Sequence, residues 1–273
     1  MTLVGVLLLQ TLTPVQMTEV KLGPPTPIVG GKVSDVKVGD LTATLFVPDG
    51  WKADGPARVC MHFHTAAWYI VSQYQSTGLK DPVVTFNFGQ GSTVYGNPFK
   101  KEGSFAPWLA EVENQLHTKV DRLVVSSFSA GFGAVRELIR QPDFLDKLET
   151  VVLSDSMYGS FTGDPATRTV LPEHAACWKP LVERALAGKT TVVMTCSAIH
   201  PPTYAGTDEV SAALVKQMGG EMVEVTPDGS EQSLIRRYDK GKWHVWHYAG
   251  ITPTAHMTQA RHLKDVLLQV YPK

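Results

Sequence analysis

Five short apolar runs recur along the chain, and segments with helical patterning separate them. The runs are Arg58–Phe63, Val83–Phe88, Arg122–Ser126, Thr150–Leu153 and Thr190–Thr195. Runs this apolar suit strands covered on both faces, because a strand with one wet face alternates polar and apolar side chains. Between them, near Phe105–His117, Gly131–Gln141, Lys179–Ala187 and Glu209–Met218, apolar residues return at helical spacing. A strand–helix–strand repeat admits few solutions, since each helix must pack back on the sheet and so brings the next strand in parallel. The predicted fold class is α/β, a doubly wound and mostly parallel sheet with helices on both faces. Upstream, Val33–Val38 and Thr42–Val47 alternate around Gly39-Asp40, which predicts antiparallel edge strands joined as a hairpin. A further strand pair is expected around Glu221–Val225 and Trp243–Ala249, and a closing helix from His256 to Val270.

This pattern predicts one domain over residues 32–273. Ahead of it, Lys21–Gly31 holds three prolines and three glycines and reads as a linker. The apolar run Leu3–Leu9 resembles the hydrophobic part of a signal peptide, although no Lys or Arg precedes it. On that reading the protein is secreted or periplasmic. The alternative is a buried N-terminal strand in a cytoplasmic protein. The run is too short to span a bilayer. The 25 basic and 26 acidic residues nearly cancel, which gives no basis for binding nucleic acid or anionic lipid. Cys60, Cys177 and Cys196 are expected as buried thiols, with one disulfide left open. No motif speaks to oligomeric state.

Chemistry concentrates in Arg122–Ile139, RLVVSSFSAGFGAVRELI. An apolar strand runs into small residues and then into an amphipathic helix, with Ser129 at the joint. So tight a turn strains its central residue and demands small neighbours. Ser127, Ala130, Gly131 and Gly133 meet that demand. The helix N-terminus beyond offers N–H groups to a developing oxyanion. Ser126 and Ser127 are the competing nucleophiles, placed inside the strand end.

The segment resembles the nucleophile elbow of the α/β-hydrolases, Gly-x-Ser-x-Gly, with Ser127 in place of the first glycine. The resemblance covers roughly Val33 to Tyr271 as an order of elements. It implies a serine hydrolase, with partners in the order Ser, acid, His, each at a strand tip. His256 follows the last predicted strand and is the expected base; His244 and His247, within that strand, are its rivals. Asp155, in VVLSDSMYGS at the tip of Thr150–Leu153, is the favoured acid. Asp208 is the alternative, in a position that also suits a helix N-cap. The resemblance further implies oxyanion donors from Ala130 and from the loop after Arg58–Phe63, where Thr65 or Ala66 would supply the N–H. His64, Tyr95 and Tyr204 are candidate substrate contacts.

The expected reaction is hydrolysis of a small-molecule carboxylic ester through an acyl-enzyme, with acylated carbohydrate among the substrates left open. It implies no metal and no organic cofactor. Two other readings remain. His62-x-His64 at a strand end resembles the first metal-ligand pair of amidohydrolase barrels, which would make the enzyme metal-dependent. The fold could also serve as a non-catalytic binding module.

Overall fold

The computed structural model describes residues 12–271; the apolar run at residues 3–9 lies outside them. Ten strands form one mixed sheet: β1 (Gly31–Val38), β2 (Leu41–Pro48), β3 (Ala57–Phe63), β4 (Val83–Phe86), β5 (Val120–Phe128), β6 (Leu148–Ser154), β7 (Thr191–Ser197), β8 (Val223–Glu224), β9 (Leu234–Lys240) and β10 (Trp243–Tyr248). Their spatial order is β1-β2-β4-β3-β5-β6-β7-β10-β9-β8. The stretch from β4 to β10 is parallel. The hairpin β1–β2 and the pair β9–β8 extend it antiparallel at either edge. This is the predicted α/β class.

Ten helices accompany the sheet: α1 (Ala67–Ser76), α2 (Ser92–Gly96), α3 (Ala106–Leu116), α4 (Phe132–Leu138), α5 (Pro142–Leu145), α6 (Pro172–Ala176), α7 (Lys179–Leu186), α8 (Thr207–Gln217), α9 (Pro253–Arg261) and α10 (Leu263–Val270). The apolar runs feed both faces because successive strand residues point oppositely. Val125, Val151 and Val192 enter one core with Trp108, Phe86 and Leu181. Val124, Val152 and Val193 enter the other, with Tyr74 and Ile70 of α1 and Leu263 and Leu267 of α10.

Three expectations need correction. The strands near Glu221 and Trp243 do not pair with each other, because β9 lies between them. Its sequence, LIRRYDK, is a half-wet edge whose charged side chains hide a strand period. The closing helix starts earlier, at Pro253, and breaks at His262 into α9 and α10. His256 therefore lies three residues into α9 rather than at the helix's first residue. Helix α1 has no counterpart in the sequence-based pattern.

All three cysteines are free thiols. The linker runs exposed and without regular structure into β1, but the chain before it is anchored. Val15 and Met17 are buried in the α1–α10 core, and Tyr248 Oη donates to Val15 O at 2.8 Å.

Candidate active site

The central parallel strands end level with one another. Phe63 of β3 pairs with Ser127 of β5, Ser127 pairs with Leu153 of β6, and Ser154 of β6 pairs with Thr195 of β7. The residues just beyond these tips share one rim. Ser129 turns the chain from β5 towards α4 with φ +48°, a left-handed conformation that costs a non-glycine residue roughly 1–2 kcal/mol. Surrounding contacts enforce it. A Cβ on Gly131 would run into the Phe63 carbonyl, and one on Gly133 into the Ser92 carbonyl. Only glycine lets the elbow sit so close to β3 and α2. Ser127 is buried, and its hydroxyl donates to Ser156 Oγ at 2.9 Å, which donates in turn to Ser129 O at 2.9 Å. The serine that replaces the usual glycine thus anchors the elbow. Ser126 is also fully buried, bonded to His62 and Tyr74. Ser129 is only half-buried.

Asp155, one residue beyond β6, has φ +45° and is 1% exposed. Its Oδ1 accepts from Ser197 N at 3.1 Å; its Oδ2 accepts from Ser197 Oγ at 2.6 Å and from His256 Nδ1 at 2.7 Å. A carboxylate on Nδ1 leaves Nε2 as the basic nitrogen. Tyr158 Oη is 3.4 Å from the same Nδ1, and the Phe128 ring packs 4.4 Å from the imidazole. Nε2 of His256 makes no hydrogen bond among the described residues. Ser129, Ala130 and His256 line one cleft of about 670 Å³. Ser129 Oγ and the imidazole do not bond directly in this structure; such contacts often tighten only around substrate.

The rival histidines lie elsewhere. His244 Nδ1 meets Asp239 at 2.6 Å, and His247 Nε2 meets Ser211 Oγ at 2.8 Å. Asp208 does not approach His256. It sits in the first turn of α8, whose N-cap is Gly206, and meets His200 Nε2 at 2.9 Å. Asp208, His200 and Glu209 form the one cluster among the described residues spaced to hold a metal. Arg168 occupies both Glu209 oxygens at 2.6 Å each, and Arg236 lies 3.5 Å from Asp208. The two guanidiniums already balance these carboxylates.

The His62/His64 pair is not free for a metal either. His62 Nε2 donates to His64 O at 2.6 Å, and Nδ1 accepts from Ser126 Oγ at 2.7 Å. Burial holds its pKa down to about 3, so it stays neutral. This bonded ring shapes the loop after β3, where His64 and Thr65 adopt φ +71° and +124°. The Thr65 and Ala66 N–H groups enter no hydrogen bond among the described residues. Neither residue lines the cleft, and nor does His64, whose ring stacks 6.0 Å from Phe128.

Tyr95 is not a substrate contact. It is fully buried, its hydroxyl 2.9 Å from both Gly89 O and His64 Nδ1, and it supports the loop from below. Tyr204 does line the cleft, edge-on to Tyr158. Sequence patterning missed Ser197, Tyr158, Arg136 and His174. Of these, Ser197 had a usable signal, its place at the tip of the strand after which many α/β-hydrolases carry the acid.

No family model matches this chain, and no curated protein matches it. Solved structures do. Poly(aspartic acid) hydrolase-1 from Sphingomonas sp. KT-1 superposes with a TM-score of 0.53 at 14% identity, covering 89% of this chain and 99% of that one. A poly(3-hydroxybutyrate) depolymerase from Bordetella parapertussis gives 0.51 at 14% identity, covering 89% and 90%. A feruloyl esterase module from Clostridium thermocellum gives 0.52 at 11%, covering 94% and 96%. The strand order, the left-handed serine after β5 and these superpositions agree: this chain has the α/β-hydrolase fold.

Proposed function

We propose that the protein is a serine hydrolase that cleaves small-molecule carboxylic esters through an acyl-enzyme on Ser129. His256 Nε2 takes the Ser129 proton as Oγ attacks the ester carbonyl. Asp155 holds the Nδ1–H and stabilises the imidazolium that forms. The Ala130 N–H, in the first turn beyond the elbow where leading N–H groups lack helical acceptors, donates to the developing oxyanion, and an unbonded N–H of the Thr65–Ala66 loop would have to turn toward the cleft to join it. The imidazolium then protonates the leaving alkoxide. Water, deprotonated by the same Nε2, attacks the acyl carbonyl and releases the acid and Ser129.

One observation carries the reading. A buried carboxylate grips His256 Nδ1 at 2.7 Å, and the imidazole shares a cleft with a left-handed serine. A structural serine at a strand–helix joint has no need of that company. The names of the structural neighbours, a hydrolase, a depolymerase and an esterase, support the same class. The test is hydrolysis of p-nitrophenyl acetate, with fluorophosphonate labelling, by wild type and Ser129→Ala. Turnover and labelling are expected in wild type and in neither respect in the variant. Equal behaviour of the two proteins would remove Ser129 from the reaction.

A further inference from the structure

Resting on the esterase reading, we infer that the cleft holds an anion subsite built on Arg136, so that the ester it cleaves carries a free carboxylate remote from the scissile bond. No Asp or Glu lines the cleft, whereas Arg136 and His174 do, alongside His256. Arg136 lies on α4, one helical turn beyond Phe132, and its Cζ stands 5.5 Å from the centre of the Phe132 ring. It lies seven positions after Ser129, which places it roughly 10 Å further along the chain's helical path.

The charge of Arg136 is not fully spent. Its Nε lies 3.2 Å from Glu137 Oε1, but the buried Glu137 also receives Arg140 Nη1 at 3.2 Å. One carboxylate serves two guanidiniums, leaving this trio a net positive charge. Nη1 and Nη2 of Arg136 make no hydrogen bond among the described residues, although the side chain is only 24% exposed. These planar donors have no protein acceptor and open onto the cleft, where an entering anion can take them. The fork geometry matches a carboxylate.

His174 adds a second donor. Its Nδ1 accepts from Ser160 N at 2.7 Å, so in the neutral ring Nε2 carries the proton. Burial, and then the nearby Arg136 charge, depress its pKa; an anion bound between the two would relieve that pressure. Between serine and arginine, Phe132 and Tyr158, with ring centres 5.8 Å apart, offer an apolar wall for the substrate's spacer.

The experiment compares matched ester pairs, with the charge on either side of the scissile bond. One pair is mono-p-nitrophenyl suberate against p-nitrophenyl octanoate; the other is 4-acetoxybenzoate against its methyl ester. At least one pair is expected to favour the anion in wild type by roughly 10- to 100-fold in kcat/KM, mainly through KM, as for a hydrogen-bonded charge pair. In Arg136→Gln that ratio should fall towards one, and Arg136→Lys should keep part of it. Arg122→Gln, which removes an exposed arginine outside the cleft that pairs with Asp121 rather than Glu137, should keep the wild-type ratio. Calorimetry with suberate alone reads the subsite without catalysis, and its affinity should fall by a similar factor in Arg136→Gln. Absence of any anionic preference in wild type, while the octanoate ester turns over and Ser129 labels, overturns the subsite and leaves the esterase reading standing. If no ester turns over and Ser129 does not label, the esterase reading falls. Suberate binding that is equal in wild type and Arg136→Gln overturns the subsite in either case.

Discussion

Ser197→Ala tests whether the Asp155 carboxylate is positioned or merely buried. Asp155 is 1% exposed and accepts three hydrogen bonds, two of them from Ser197. The substitution deletes only the 2.6 Å bond from Oγ. The backbone N–H stays, and with it the pairing of Ser197 to Tyr248. A hydrogen bond to an ionised group is worth about 1.5–3 kcal/mol. For a chain of this length that corresponds to a fall in Tm of roughly 3–6 °C. Oγ shares Oδ2 with His256, so its loss also frees the carboxylate to rotate away from Nδ1. The imidazole then samples orientations and tautomers that cannot take the Ser129 proton. The expected effect on p-nitrophenyl acetate hydrolysis is a drop in kcat of about 10- to 100-fold with KM nearly unchanged, since the lost contact matters most in the transition state. Circular dichroism melts and steady-state kinetics on one preparation read both quantities. A lowered Tm with unchanged kcat would refute the positioning role and leave Ser197 as a structural partner only.

Two further predictions concern stability. His62 and His247 are buried, and burial lowers both from 6.5 to about 3. Their unfolded forms therefore gain protons below pH 6.5 while the folded forms stay neutral until about pH 3. Stability should be flat above pH 6.5 and fall by about 1.4 kcal/mol per pH unit for each histidine below it; urea midpoints that do not change between pH 7 and pH 5 would contradict this. Removal of residues 1–17 should cost about 2 kcal/mol more than removal of residues 1–11, because it strips Val15 and Met17 from the α1–α10 core and the Val15 carbonyl from Tyr248. Equal urea midpoints for the two truncations would show that the segment adds nothing to the stability of the folded chain.

The parallel core was legible because its strands are buried on both faces, and burial writes itself into sequence as unbroken apolar runs. The proposed Ser129 and Asp155 were picked out for a related reason, since each follows such a run at its tip, whereas His256 was picked out only by its place between the last strand and the end of the chain. Where burial is partial, the signal fades. Strand β9 carries two arginines, an aspartate and a lysine, and was missed. Tyr95 looked like a rim aromatic, yet it is fully buried, because α2 packs against α4 through Gly96 and Gly133. That approach depends on two glycines in separate segments, which no local pattern links. Arg136 was invisible as a site residue for a similar reason. Glu137 and Arg140, three residues apart, suggest an ordinary charged helix surface, and only the fold shows that Arg136 opens onto the same cleft as Ser129.

The position of the proposed acid, Asp155, follows from what the sheet fixes. Strands β6 and β7 are parallel neighbours, and Asp155 N donates to Thr195 O at 2.7 Å, continuing their ladder past the last strand pair. The carboxylate then stands beside Ser197 at the tip of β7. The imidazole arrives from the first turn of α9, which follows β10, the strand on the other side of β7. A carboxylate rooted on either β6 or β7 can therefore reach the same Nδ1, so the topology specifies the destination of the acid and not its strand of origin. The tip left without an acid still has to be filled. A second carboxylate there would raise the pKa of one of the pair by mutual repulsion and leave a proton where the imidazole needs a charge. An apolar residue would leave a buried carboxylate short of donors. Ser197 answers both constraints with a neutral side chain that donates. The proposed acid on β6 and the serine at the tip of β7 are thus two halves of one electrostatic solution.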